Sequence, residues 1–217
     1  MSDLIARLER CGVVPVVEIA DASAAVALVD ALAGGGLDVI EITLRTSAGL
    51  DAIRAIAAER PDVLLGAGTL LNPGALADAV AAGARFGVSP GFDPELVAAA
   101  TDAGLPYVPG VATASEVQRA IAGGTTMLKF FPAKIAGGPA ALSALTGPFR
   151  AAGVRFMPTG GIREADLPDY LAVSSVVAVG GTWLTPAADV AAGDWDAIRE
   201  RAAQARRAVD AAREGRS

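Results

Sequence analysis

Short runs of β-forming residues alternate with Ala-rich helical stretches almost from end to end of this chain, and no other feature constrains its fold as tightly. The runs cover residues 13–19, 37–44, 63–67, 85–89, 106–108, 126–130, 154–157 and 175–179. Strand followed by helix, repeated, means a parallel sheet whose strands are joined by crossover helices. Eight such units in 217 residues fit a single closed (β/α)8 TIM barrel. A doubly wound sheet would carry a dinucleotide glycine fingerprint after its first strand, whereas residues 20–23 read Ala20-Asp21-Ala22-Ser23. Asn72-Pro73 and Asp93-Pro94 each place a capping side chain before a proline at the first helical turn. Residues 1–11 carry Leu4, Ile5 and Leu8 on one helical face and are expected to cap the barrel bottom, the alternative being a frayed start. Residues 195–213 read as a last helix, with fraying expected over 214–217. No linker or charge block divides the chain, so residues 1–217 are expected to form one domain.

Composition narrows the chemistry. Hydrophobic residues make up 53% of the chain, enough for a sizeable core. A net charge of -6 and a pI near 4.7 argue against nucleic acid as a partner, which would need a basic face. Charged residues interrupt every apolar stretch before membrane-spanning length, so no membrane partner is expected. The lone Cys11 can form no internal disulfide, and no basic-then-apolar signal opens the chain; a cytoplasmic location is the expectation. With no histidine and one cysteine, the usual zinc sites, Ser-His-Asp triads and Cys-His dyads cannot be assembled within one chain.

Active sites of this fold lie at the C-terminal ends of the strands, so the polar residues closing each run carry the functional argument. Of 18 basic residues only Lys129 and Lys134 are lysine, and a lysine retained in such a chain is a candidate for chemistry that needs an amine. In the sixth run Met127, Lys129 and Phe131 share one face; if Leu128 and Phe130 meet the helices, Lys129 points inward. Desolvation favours a neutral, nucleophilic amine, the state a Schiff-base lysine requires, although a lysine with a buried stem and a salt-bridged head fits the same position. Lys134, beyond Pro132, is expected in solvent. The second run places Glu41, Thr43 and Arg45 on one parity. Glu41 can move protons while Arg45 clamps a carboxylate, or the two form a structural ion pair.

Glycine-rich turns follow other runs. Gly66-Ala67-Gly68-Thr69 closes the third and offers a hydroxyl, whereas Ser89-Pro90-Gly91 is turn chemistry first. Thr159-Gly160-Gly161 and Gly180-Gly181-Thr182 follow the seventh and eighth runs, where this fold commonly binds phosphate; ordinary tight turns are the alternative.

Taken together, Glu41-Ile42-Thr43-Leu44-Arg45-Thr46, Gly66-Ala67-Gly68-Thr69, Ser89-Pro90-Gly91, Lys129-Phe130-Phe131-Pro132-Ala133, Pro158-Thr159-Gly160-Gly161-Ile162 and Gly180-Gly181-Thr182-Trp183 match one family in order. Over residues 4–198 the chain resembles the bifunctional 2-keto-3-deoxy-6-phosphogluconate (KDPG) / 4-hydroxy-2-oxoglutarate (KHG) aldolases of the Entner–Doudoroff pathway. The resemblance implies a class I aldolase with no metal and no cofactor, in which Lys129 is the Schiff-base lysine and Glu41 the general acid/base. It implies further that Arg45 and Thr69 bind the pyruvate carboxylate and that Gly160, Gly161, Gly181 and Thr182 line the phosphate end. Phe131, Thr159 and Gly180 join the expected substrate site. The family is typically trimeric. Certain relatives carry Arg where this chain has Glu18, which leaves phosphate binding here to backbone groups. The implied substrate is a 2-keto-3-deoxy sugar acid phosphate, cleaved to pyruvate and glyceraldehyde 3-phosphate, with 4-hydroxy-2-oxoglutarate as a second substrate. Rival readings are a phosphogalactonate aldolase, a metal-dependent pyruvate aldolase and a non-catalytic sugar-phosphate barrel.

Overall fold

Three successive helices of this chain start at side-chain caps. Asn72 accepts from the Ala75 N–H at 2.9 Å and opens α4 (Pro73–Ala81). Asp93 accepts from the Glu95 N–H at 2.9 Å and opens α5 (Pro94–Asp102), while Thr113 and Glu116 form a reciprocal capping box at the start of α6 (Ala114–Ala122). These caps appear in a computed structural model that describes residues 1–215. The remaining helices are α1 (Ser2–Cys11), α2 (Ala25–Gly34), α3 (Gly49–Glu59), α7 (Gly138–Thr146), α8 (Leu167–Leu171), α9 (Ala187–Ala192) and α10 (Trp195–Glu214).

Between them lie β1 (Val13–Val17), β2 (Val39–Thr43), β3 (Leu64–Gly68), β4 (Phe86–Val88), β5 (Tyr107–Val108), β6 (Gly110–Val111), β7 (Met127–Phe130), β8 (Arg155–Pro158) and β9 (Val179–Gly181). Every ladder is parallel. Six strands form one curled sheet in the order β5-β4-β3-β2-β1-β9, and β6-β7-β8 form a second ladder. Apart from Arg155 at the start of β8, every strand residue is buried, as expected where helices cover the outer face and side chains fill the inner one.

Two of the expected runs are corrected. The fifth becomes two short strands because Pro109 between them has no N–H to donate; its carbonyl still accepts from the Lys129 N–H at 2.8 Å. The eighth was placed at 175–179, but the strand is Val179–Gly181. Residues 175–177 bond to Phe156 of β8, and the chain then passes to β1, pairing Val13 with Val179 and Pro15 with Gly181. Gly180 and Gly181 therefore belong to a strand and not to the turn after one.

Helix α1 buries Leu4, Leu8 and Cys11. It lies across the N-terminal ends of several strands: Arg7 pairs with Asp38 at 2.6 Å before β2, and Glu9 pairs with Arg155 of β8. Arg206 of α10 donates to the carbonyls of Arg10 and Cys11 at 2.7 and 2.6 Å, satisfying helix-end acceptors with a cation. The helix is thus packed and capped, and the frayed-start alternative is set aside. At the other terminus Glu214 ends α10 and is not part of a frayed tail; the last two positions of the 214–217 expectation lie outside the described residues. No helix among the described residues is long and apolar enough to cross a membrane.

Leu8 is fully buried, so Leu8→Ala is expected to cost about 2–5 kcal/mol in a denaturant titration. A loss below about 0.5 kcal/mol, the scale of surface substitutions, would detach α1 from the core.

Candidate active site

Strand β2 carries a carboxylate into the sheet interior. Glu41 sits in register with Val16 of β1 and Gly66 of β3 and is 0% exposed. Lys129 comes from β7 in the second ladder, in register with Gly110 and Met157, and is 4% exposed. Their side chains meet with Lys129 Nζ 3.3 Å from Glu41 Oε1. Burying either charge alone would cost several kcal/mol, and the pairing offsets that cost for both. Glu41 Oε2 is also buried but has no hydrogen-bond partner, leaving an acceptor for a guest hydroxyl or water. Space for the carboxylate comes from Gly68 on β3, where a Cβ would lie 2.1 Å from Oε1. The Phe131 ring lies 5.4 Å from the Lys129 amine and walls one side.

Arg45 departs from the expected parity. Strand β2 ends at Thr43, and the turn that follows releases Arg45 from the alternation, so the cation facing Glu41 is Lys129. Arg45 stands at the mouth with its side chain 45% exposed, Nη1 3.7 Å from Glu18 and Nε donating to Thr69 Oγ1 at 3.3 Å. Thr69 is the one non-glycine residue among those described with positive φ, at 62°. A β-branched residue held there costs on the order of 1–3 kcal/mol, strain typical of functional loops. Beside these residues opens a cavity of about 460 Å³ lined by Glu18, Thr43, Arg45, Thr46, Thr182 and Thr185. That Glu18 stands beside Arg45 does not follow from the sequence alone. Its signal is a charge in an otherwise apolar β-run, the pattern that singled out Glu41. Thr43 is buried and donates to the Val17 carbonyl at 3.0 Å, tying β2 to β1.

At the other rim, Thr159 is buried and pairs with Gly180 through an isolated parallel bridge. Gly160 and Gly161 follow with φ of 105° and 74°, a turn that side-chain-bearing residues rarely adopt. The second glycine pair does not form a similar turn. Gly180 and Gly181 lie within β9 and make room for the Thr159 hydroxyl and the Trp183 ring, so only Thr182 of that motif is exposed at the mouth. Ser89 serves its own turn, donating to the Gly91 carbonyl at 2.6 Å and accepting from Tyr107 at 2.6 Å; burial pushes the Tyr107 phenol up to about 12.

The described residues hold no group of three His, Cys, Asp or Glu side chains able to grip a metal ion. The chemistry on display is a buried amine beside a carboxylate, with a cation and hydroxyls at the mouth.

Comparison with known proteins agrees with this arrangement. Residues 4–201 match the family model described as KDPG and KHG aldolase. The chain is 48% identical to the KHG/KDPG aldolase of Escherichia coli (strain K12) over 193 residues, covering 89% of this chain and 90% of that protein. It is also 48% identical over 193 residues to the 2-dehydro-3-deoxy-phosphogluconate aldolase of Pseudomonas aeruginosa, covering 89% and 87%. Among solved structures, a KDPG aldolase from Legionella pneumophila, with pyruvate captured as a covalent carbinolamine intermediate, superposes with a TM-score of 0.88. It is 40% identical, over 92% of this chain and 96% of that one. A carbinolamine is the adduct an amine forms with a ketone. The chain belongs to the KDPG and KHG aldolase family of carbon–carbon lyases.

Proposed function

We propose that this protein is a class I aldolase that cleaves 2-dehydro-3-deoxy-6-phosphogluconate to pyruvate and D-glyceraldehyde 3-phosphate, and 4-hydroxy-2-oxoglutarate to pyruvate and glyoxylate. The observation that carries the reading is the buried amine of Lys129 at 3.3 Å from Glu41. The names of the relatives support the substrate.

In this mechanism Lys129 passes its ammonium proton to Glu41 and the freed amine attacks the C2 ketone; Glu41 returns the proton as water leaves the carbinolamine, which yields a protonated iminium and a carboxylate. Glu41 takes the proton of the C4 hydroxyl as the C3–C4 bond breaks, and the electron pair flows into the iminium to give an enamine. The aldehyde then leaves. Protonation at C3 and hydrolysis release pyruvate and restore the amine. A single carboxylate serves each proton transfer because its protonation state alternates. Arg45 and Thr69, already in contact, hold the substrate carboxylate, and Phe131 and Thr159 wall the interior. Gly160, Gly161 and Thr182 line the distal end, and Gly180 and Gly181 back it from within β9, making room for Thr159 and Trp183.

The reading extends to architecture. The chain is one (β/α)8 TIM-barrel domain over residues 1–217, with β5 and β6 counting as one strand and the Thr159–Gly180 bridge joining the two ladders. It acts on a small molecule, as a homotrimer in the cytoplasm, with neither nucleic acid nor membrane as partner. The trimer rests on the family resemblance, and the exclusion of nucleic acid rests on the net charge of -6.

Lys129→Arg is expected to abolish turnover of the phosphorylated acid with the circular dichroism spectrum unchanged; substantial residual cleavage would remove Lys129 from the mechanism. Glu41→Gln is expected to lower kcat by ~10²–10⁴, the range for general acid–base groups, and a near-normal kcat would move the proton transfers elsewhere. Gly68→Ala drives a methyl into the Glu41 carboxylate, which must shift. Its expected loss in kcat is ~10²-fold, typical of a misplaced catalytic group, and a kcat like that of the parent would show that the carboxylate position is not critical.

A further inference from the structure

The aldolase mechanism uses one of the chain's two lysines and leaves Lys134 without a role. Its backbone is fastened to the diglycine turn: Ala133 donates to the Thr159 carbonyl at 2.8 Å, and Lys134 donates to the Gly160 carbonyl at 3.0 Å. Its side chain then runs over Gly161. A Cβ at that position would lie 3.0 Å from Lys134 Cβ and 3.2 Å from Cδ, so the missing side chain is what lets the aliphatic stem lie along the turn. On the other side of the turn, a Cβ at Gly160 would lie 3.2 Å from the Phe131 ring, and that ring's centroid lies 5.4 Å from the Lys129 amine. Amine, aromatic wall, diglycine turn and second lysine thus stand in sequence from the interior to the rim.

The other cation beside this turn, Arg163, is committed. Arg163 is held by Asp166 at 3.4 Å, and Asp166 also accepts the Arg163 N–H at 2.9 Å. Arg163 holds the Asp166 carboxyl below its usual range, with a smaller contribution from Lys134. Lys134 itself is exposed and has no ion pair within 4.0 Å among the described residues. A turn offering backbone N–H groups, with an uncommitted ammonium whose stem crosses it, suits a terminal phosphate.

We propose that Lys134 is a specificity-determining residue whose ammonium binds the phosphate monoester at the far end of the keto acid, over the Gly160-Gly161 turn. This adds a side-chain cation to a subsite that the sequence reading had left to backbone groups, and it rests on the aldolase reading above.

The test compares wild type, Lys134→Met and Lys134→Arg on the phosphorylated keto acid and on the same acid without its phosphate. Methionine keeps most of the stem and removes the charge; Lys134 is exposed, so both variants are expected to fold. The ratio of kcat/KM for the phosphorylated over the unphosphorylated acid should fall ~10- to 100-fold in Lys134→Met, the worth of one charge-assisted hydrogen bond, and should recover in Lys134→Arg. The change should lie mainly in KM for the phosphorylated acid, and added salt should erode the wild-type preference more than that of Lys134→Met. An unchanged ratio in Lys134→Met, or an equal loss on both acids, overturns the assignment while leaving the aldolase reading in place. A wild-type protein that cleaves neither acid overturns the aldolase reading and this assignment with it.

Discussion

Everything distinctive in this molecule is arranged around one buried ion pair, Lys129 with Glu41. Neither group can be desolvated alone without a large penalty, so the two strands that carry them must face each other across a closed-in interior. The fold does this by bringing β2 of the six-stranded sheet and β7 of the second ladder, far apart in sequence, to face each other. Replacing the pair by apolar residues would generally be neutral or stabilising, so its presence points to chemistry and not to fold maintenance. The unpartnered Oε2 of Glu41 supports the same view, since a purely structural pair would be expected to satisfy both oxygens.

Charge is graded from this interior to the rims. The Phe131 ring walls one side of the pair. At one rim Arg45 is held between Glu18 and Thr69, a partner on each side that limits its rotamers before any substrate carboxylate arrives. The backbone strain at Thr69 belongs to that arrangement, because its hydroxyl reaches the Arg45 guanidinium from a left-handed conformation. At the other rim the diglycine turn presents backbone N–H groups beside Lys134. The proposed reading matches a substrate with a carboxylate at one end and a phosphate at the other to these two cations, Arg45 and Lys134.

Where local periodicity governs, the sequence was readable. Six of the eight apolar runs, the Asn72-Pro73 and Asp93-Pro94 helix starts and the inward face of Lys129 follow from alternation and capping chemistry, and the structure bears them out. What could not be read depended on pairing partners. The parity argument carried Arg45 onto the face of Glu41 because it extended the strand past Thr43, where the ladder with β3 ends. The eighth run was placed too early because residues 175–177 bond to β8 before the chain crosses to β1. Periodicity alone gives no sign that one segment serves two neighbours in turn. Glu18 drew attention only as a departure from relatives, since its partner Arg45 lies across the mouth on another strand.

The central claim is that Lys129 forms an imine with a keto acid. Reduction with borohydride in the presence of pyruvate, followed by peptide mass mapping, tests it directly, and the map is simple because the chain has only two lysines. A reduced pyruvate adduct on the Lys129 peptide and none on the Lys134 peptide is the predicted result. No adduct, or an adduct on Lys134 alone, would contradict the claim.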